Sequence, residues 1–379
     1  MSTPKKRLRP IWLSIHLYLG LWLGSALVVT GITGSLLVFY VEIDQWLNPR
    51  IVVQAQGKPQ ALEAAVNALK ARHPQRRGSW RLEMPLTADR PLTARYHKPA
   101  ETRYLHFAPL MVSVDPYTLA ITSNRIWGDT LMTWIYDLHY ILLIDDGGGT
   151  IVGVMGLLLA ISLLSGALLW WPRNANWRSA FRLRWKTNTF QRIYELHKFG
   201  GIVGLPVLLV LALSGCALAL PTWVNLVINF FSPLSTPPRP MSTPMGTLRR
   251  ITVDRAVAIA QNRFPHAEVR WIETPGDQRG VYLIRLYQAG EPGRRFPKTM
   301  VWVEQYSGAV LAEHDALKQS AGDELLAWLH PLHNGEALAL PGRILVLLSG
   351  LILPLLFVTG LLRWRQKARA KMYVKQRNA

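Results

Sequence analysis

Four stretches of this chain stay apolar for about twenty residues or more, the length needed to cross a bilayer. They run roughly over 11–41, 151–171, 200–220 and 343–362. Any fold must bury these runs in lipid or against one another, which sets a helical bundle as the starting point. Half of the residues are hydrophobic (50%) and only 17% are charged, a balance that excludes an ordinary soluble protein of this length. The first run has no small-residue cleavage site before Glu42 and is too long for a signal peptide, so it reads as a retained span.

Lys and Arg in the short flanks set the direction of the spans. Lys5, Lys6, Arg7 and Arg9 precede the first. Arg173, Arg178, Arg182, Arg184, Lys186 and Arg192 follow the second. The tail after the fourth carries Arg363, Arg365, Lys367, Arg369, Lys371, Lys375 and Arg377. All three basic segments fall on one side if both termini are cytoplasmic, as expected of a multi-pass protein of a bacterial inner membrane. The net charge of +20 is then a matter of topology, not of nucleic-acid binding. The expected order is a span in 1–42, an outer domain in 43–135, a span with an outer extension in 136–171, and an inner loop in 172–196. A span in 197–221, an outer domain in 222–330, a span with an outer extension in 331–364 and a tail in 365–379 complete it. Each outer segment reads as a small α+β domain. "ALEAAVNALKARHP" and "ITVDRAVAIAQNRF" have helical spacing. "PLTARYHK", "LMVSVDPYTLAI", "GVYLIRLYQAG" and "KTMVWVEQYSGAV" are strand-like.

Each span has one histidine near its start: His16, His139, His197 and His333. Gly20 and Gly201 lie four residues after His16 and His197. Gly34 and Gly215 lie eighteen after them, each preceded by a hydroxyl residue, Thr33 or Ser214. Counting from His139 gives Gly148, Gly156, Gly166 and Trp170. The same offsets from His333 give Gly342, Gly350, Gly360 and Trp364. The chain therefore reads as an internal duplication of span, outer domain and span. The neighbouring His330 is out of this register. Like-with-like pairs at equal depth are His16 with His197 and His139 with His333.

Ionisable side chains inside spans are costly and face the protein interior. A lone histidine of this kind is usually a hydrogen-bonding residue between helices. Two depth-matched pairs instead suit two haems, each clamped by imidazoles from two facing helices. The single cysteine, Cys216, excludes both a disulfide within the chain and a C-x-x-C-H attachment, so any haem would be held non-covalently. Zinc fits less well, because it normally takes three or four ligands in one cluster. Asp145 and Asp146 lie near the outer pair, but acids in such a glycine-rich loop are more often solvated. Gly20, Gly24, Gly31 and Gly34 offer one face for a flat macrocycle or for close helix packing. No phosphate loop or dinucleotide fingerprint occurs, so electrons must come from an external donor, a quinol or a cytoplasmic reductase.

The motifs "SIHLYLGLWLG…TGITGSLLVF", "DLHYILL…SGALLWWP", "ELHKFGGIVG…SGCALA" and "PLHNGEAL…PGR…TGLLRW" resemble those of the PepSY-associated transmembrane family, over nearly the whole chain. "VSVDPYTLAI" and "VWVEQYSGAVL" look like the strand-turn-strand ending of its outer domains. The first has threonine where that family usually has glycine, and "LIDDGGG" is an uncommon loop. The resemblance implies a four-transmembrane-helix bundle with two small periplasmic α+β (PepSY-like) domains. It also implies two haem b groups ligated by the span histidines and reduction of ferric siderophore complexes in the periplasm. Basic residues such as Arg72, Arg76, Arg77, Arg294 and Arg295 would attract anionic chelates or form a solvated face. Arg343, ten residues after His333, suits a haem propionate or a span-edge anchor equally.

Two other functions fit parts of the pattern. The spans could anchor a PepSY-type regulatory or peptidase-inhibitory module, which leaves the four histidines without a purpose. A haem or siderophore transporter would need broken helices around a midplane site, for which Pro206 and Pro354 are the only hints.

Overall fold

The computed structural model describes residues 4–172, 176–185, 188–244 and 249–377. Arg173 and Lys186 of the basic segment after the second span lie outside these residues. The helices are α1 (Pro4–Leu37), α2 (Tyr40–Leu47), α3 (Leu62–Arg72), α4 (Leu131–Ile141), α5 (Gly148–Trp170), α6 (Trp177–Ala180), α7 (Thr189–Ala219), α8 (Pro221–Phe231), α9 (Val253–Arg263), α10 (Ala321–Asn334) and α11 (Ala339–Arg377). The strands are β1 (Arg81–Glu83), β2 (Leu92–Tyr96), β3 (Leu110–Val114), β4 (Ile121–Ile126), β5 (Glu268–Glu273), β6 (Val281–Tyr287), β7 (Thr299–Glu304) and β8 (Val310–His314). The chain divides into two compact units. One is helical and built from Met1–Phe39, Ile135–Thr222 and Leu329–Ala379. The other contains the sheet and is built from Tyr40–Trp134 and Trp223–Trp328.

In the helical unit four helices are long and apolar enough to cross a membrane, over Leu8–Leu37, Gly148–Trp170, Thr189–Ala219 and Glu336–Val374. They pack as a ring: α1 against α5 and α11, and α7 against the same two helices. Helices α7 and α11 continue through Pro206 and Pro354. The two even-numbered spans are interrupted at their start. Leu142, Leu143 and Asp145 take positive φ angles between α4 and α5, Gly335 does so between α10 and α11, and Ala339 does so at the first residue of α11. His139 and His333 therefore sit on α4 and α10, short helices before the spans, and not on the spans themselves.

Several of the register glycines are explained by close approaches. A Cβ at Gly148 would meet the Ile141 carbonyl, and one at Gly342 would meet the Gly335 carbonyl, so glycine is needed where each chain doubles back. A Cβ at Gly156 would lie 2.9 Å from the Ala212 carbonyl oxygen, and one at Gly31 2.7 Å from that of Gly350. These are the close helix crossings that small residues permit.

The sheet unit differs from two separate domains. Its eight strands form one antiparallel sheet in the order β4-β3-β2-β1-β5-β6-β7-β8. Segments 43–135 and 222–330 each supply four strands, joined where β1 pairs with β5, Leu82 opposite Ile272. The junction removes two open edges that would otherwise invite aggregation. Helices α3 and α9 share one core with the sheet, including Val66, Leu69, Leu82, Ala256, Ile272 and Ile284. The two helix starts also cap each other. Asp254 accepts from the amides of Leu62 and Glu63, both at 2.9 Å, while Glu63 accepts from the amide of Val253 at 2.8 Å.

Candidate functional site

The helical unit brings His16, His139, His197 and His333 together in two pairs. The ring centroids of His16 and His197 are 6.0 Å apart, and those of His139 and His333 are 6.1 Å apart. His330 stays outside, with its Nδ1 3.3 Å from the Asn334 amide nitrogen.

Every ring is held from behind in the same way. His16 Nδ1 lies 3.0 Å from the Ser162 carbonyl and 3.1 Å from Ser165 Oγ, both on α5. His197 Nδ1 lies 3.1 Å from the Leu356 carbonyl and 3.0 Å from Thr359 Oγ1 on α11. His139 Nδ1 lies 2.9 Å from the Thr30 carbonyl and 3.1 Å from Thr33 Oγ1 on α1. His333 Nδ1 lies 3.1 Å from Ser214 Oγ and is also bonded by the Leu211 carbonyl, both on α7. Each seat is a carbonyl and, three residues later, a hydroxyl. A glycine follows the hydroxyl, and the imidazole Cε1 rests on it. A Cβ at Gly34, Gly166, Gly215 or Gly360 would stand 2.8, 3.0, 2.8 or 3.3 Å from that atom.

This seat fixes the tautomer. Each hydroxyl spends its own proton on a carbonyl of its helix: Thr33 on Val29 at 2.8 Å, Ser165 on Ser162 at 2.7 Å, Ser214 on Val210 at 2.6 Å, and Thr359 on Leu355 at 2.6 Å. Both partners of each Nδ1 are then acceptors, so Nδ1 carries the hydrogen and Nε2 keeps its lone pair. An imidazole whose second nitrogen donates to an oriented acceptor is the usual form of a metal-ligating histidine.

Geometry and chemistry suit a metal between each pair. An imidazole nitrogen sits about 2 Å from a first-row metal, so two imidazoles on opposite sides place their centroids about 6 Å apart. Among the described residues no group of three or more His, Cys, Asp or Glu side chains comes together, so each pair offers two nitrogens and no clustered third ligand. That donor set suits an iron whose other four positions are filled by a porphyrin better than it suits zinc. One turn beyond His16, a Cβ added at Gly20 would meet nothing within 4 Å. One turn beyond His197, a Cβ added at Gly201 would meet only Leu356, at 3.7 Å. Protein packing therefore does not itself require glycine at either position. Along α1 the seat at Gly34 lies eighteen residues beyond His16, or about 27 Å at 1.5 Å per residue. The two pairs are thus separated by roughly the hydrocarbon thickness of a bilayer.

A family model described as PepSY-associated TM region matches residues 13–367. The chain belongs to this PepSY-associated family of membrane proteins. It is also similar to PA4219, an uncharacterized protein of Pseudomonas aeruginosa, with 27% identity over 252 residues covering 62% of this chain. The chain spans 63% of the length of that relative. In this PepSY-associated protein, residues named from the sequence for other roles have partners of their own. Arg343 donates to the Val38 carbonyl at 2.7 Å and covers the Phe39 ring, as a span-edge anchor would. Arg76 pairs with Glu101, and Arg294 pairs with Glu268 at 2.6 Å. Arg295 lies over the rings of Tyr40 and Phe296.

Register counting from the histidines reaches Thr33 and Ser214 but misses Ser165 and Thr359. A signal for all four is present: a Ser-Gly or Thr-Gly dipeptide recurs as Thr33-Gly34, Ser165-Gly166, Ser214-Gly215 and Thr359-Gly360.

Proposed function

We propose that this protein is a dihaem b-type reductase that passes electrons across the membrane to ferric siderophore complexes, as its resemblance to siderophore reductases of the ferrioxamine type implies. His16 and His197 would hold one haem, and His139 and His333 the other. The observation that carries the reading is the recurrence of one seat four times. Each presents an imidazole with Nδ1 protonated and its ring about 6 Å from a partner.

Bound haem iron supplies a one-electron ferric/ferrous couple. The chain's own residues orient the imidazoles, keep water away from the rings and hold the two levels apart. Were both imidazoles of a pair to hold the iron, a substrate would receive its electron without binding that iron. The siderophore iron is substrate: it gains one electron, passes from ferric to ferrous, and is then held more weakly by hard hydroxamate oxygens while the chelator is released intact. The donor is external, a quinol or a cytoplasmic reductase docking near the basic flanks. The proposed topology is that of an inner-membrane protein with both termini cytoplasmic and segments 43–135 and 222–330 periplasmic, the two halves having arisen by duplication.

The test is a visible spectrum of the full chain in detergent, before and after dithionite, with iron analysis. Sharp b-type bands and about two irons per chain are expected for two bis-histidine haems. Adding a ferric hydroxamate to the reduced protein should then reoxidise it and deliver ferrous iron to a chromogenic chelator. A colourless preparation overturns the reading and leaves the helices as an anchor for the sheet unit. A haem-loaded protein that ferric hydroxamates do not reoxidise removes the siderophore assignment alone.

A further inference from the structure

At the α7 N-terminal end of the helical unit, the Arg363 guanidinium lies 4.1 Å from the Phe190 ring centre and 5.3 Å from that of Tyr194. Among the described residues it makes no ion pair, and its Nη1 is buried with no hydrogen-bond partner. An orphaned guanidinium nitrogen is costly, by about 1–3 kcal/mol or more for a charged donor, and aromatic faces offset only part of the loss of water. Such a group is normally completed by an oxyanion.

The position of Arg363 narrows the choice of anion. Gly360, against which His197 rests, lies three residues before it on α11, and Tyr194 lies three before His197 on α7. Three residues of helix are about 4.5 Å of rise, so Arg363 is rooted about one turn beyond Gly360, and Tyr194, whose ring it approaches, about one turn before His197. The matching place in the first half is taken by Leu169, three residues after Gly166. At the other end of the unit Arg343 is already engaged by the Val38 carbonyl.

We infer that Arg363 is an oxyanion site serving the His16–His197 level, and that its ligand is a carboxylate of the tetrapyrrole held there. This rests on the haem reading above. The other source of the same chemistry is a lipid phosphate.

The experiment uses the full-length protein, wild type, Arg363→Gln and Arg363→Lys, in detergent. Haem transfer to excess apomyoglobin is followed optically, redox titration of both haems is recorded, and phosphorus in the purified protein is assayed. In Arg363→Gln, one of the two haems should leave about tenfold faster, the equivalent of one lost charge-assisted hydrogen bond. The midpoint of that haem alone should fall, because an uncompensated carboxylate favours ferric iron. Arg363→Lys should recover much of the loss. If both haems keep their release rates and midpoints in Arg363→Gln, the assignment is overturned while the dihaem reading stands. Loss of bound phosphorus in that variant, with unchanged haems, assigns the site to lipid instead. A wild-type protein without haem overturns both.

Discussion

The imidazole planes of His16 and His197 stand at 82° to one another, whereas those of His139 and His333 meet at 48°. If each pair holds a low-spin ferric haem, the two irons should differ electronically. Ring planes at right angles keep two of the iron d orbitals close in energy, and less crossed planes split them. Electron paramagnetic resonance of the oxidised protein should show two distinct low-spin signals in equal amounts. The signal with the greater axial character should vanish in His16→Ala. A single homogeneous signal would contradict the difference in geometry.

Removing a seat should loosen a ligand without removing it. Thr33→Val and Ser214→Ala each delete one acceptor from an Nδ1 of the His139–His333 pair. Loss of an oriented partner behind a metal-ligating histidine typically costs 10–100-fold in affinity. Competitive haem transfer should register that loss at one haem only. His139→Ala should go further and bring iron from about two to about one per chain.

Gly20 separates a packing role from a cofactor role. A Cβ there meets nothing within 4 Å, so protein packing alone tolerates a larger residue. Gly20→Leu should leave the protein expressed and monodisperse in detergent yet deprive it of the haem beside His16. Full haem content in this variant would mean that the opening belongs to lipid.

His97, in the sheet unit, has a basicity below the usual 6.5, chiefly through burial and then through the Arg81 charge, and its Nε2 has no hydrogen-bond partner. A histidine depressed in the folded state binds protons more readily when unfolded. Its stabilising contribution is therefore complete above 6.5 and is lost as pH falls from there through the depressed folded-state value. Thermal unfolding of the sheet unit within the full chain, followed by hydrogen exchange, should begin at lower temperature as pH drops below 6.5. His97→Gln should flatten that dependence.

The exchanged caps offer a test of the joined sheet. Asp254→Ala strips the amides of Leu62 and Glu63 of their acceptor, at a cost of about 1 kcal/mol, as for other helix-cap losses. Because Asp254 belongs to the second half and α3 to the first, hydrogen exchange should quicken at the start of α3, almost two hundred residues away in sequence.

Much of the helical unit was legible in the sequence. Long apolar runs announce spans, and matching offsets from His139 and His333 paired residues far apart in the chain. What stayed hidden was set by local geometry or by partners distant in sequence. The runs do not announce that Leu142 and Leu143 turn left-handed and detach α4 from α5. β1 is only three residues long, and "EVRWIE" of β5 mixes charges with apolar groups, so neither stood out as a strand. Their pairing, which fuses segments 43–135 and 222–330 into one sheet, depends on contacts across about 190 residues that no local pattern encodes.

The seats run in both directions within a helix pair. α1 lends His16 to α5 and receives His139 from the segment leading into α5, and α7 and α11 trade His197 and His333 likewise. Each pair is thus buckled at two points about 27 Å apart along the helix. A slip of one residue would unfasten both buckles together, so the two ends of the bundle keep or lose their grip as one.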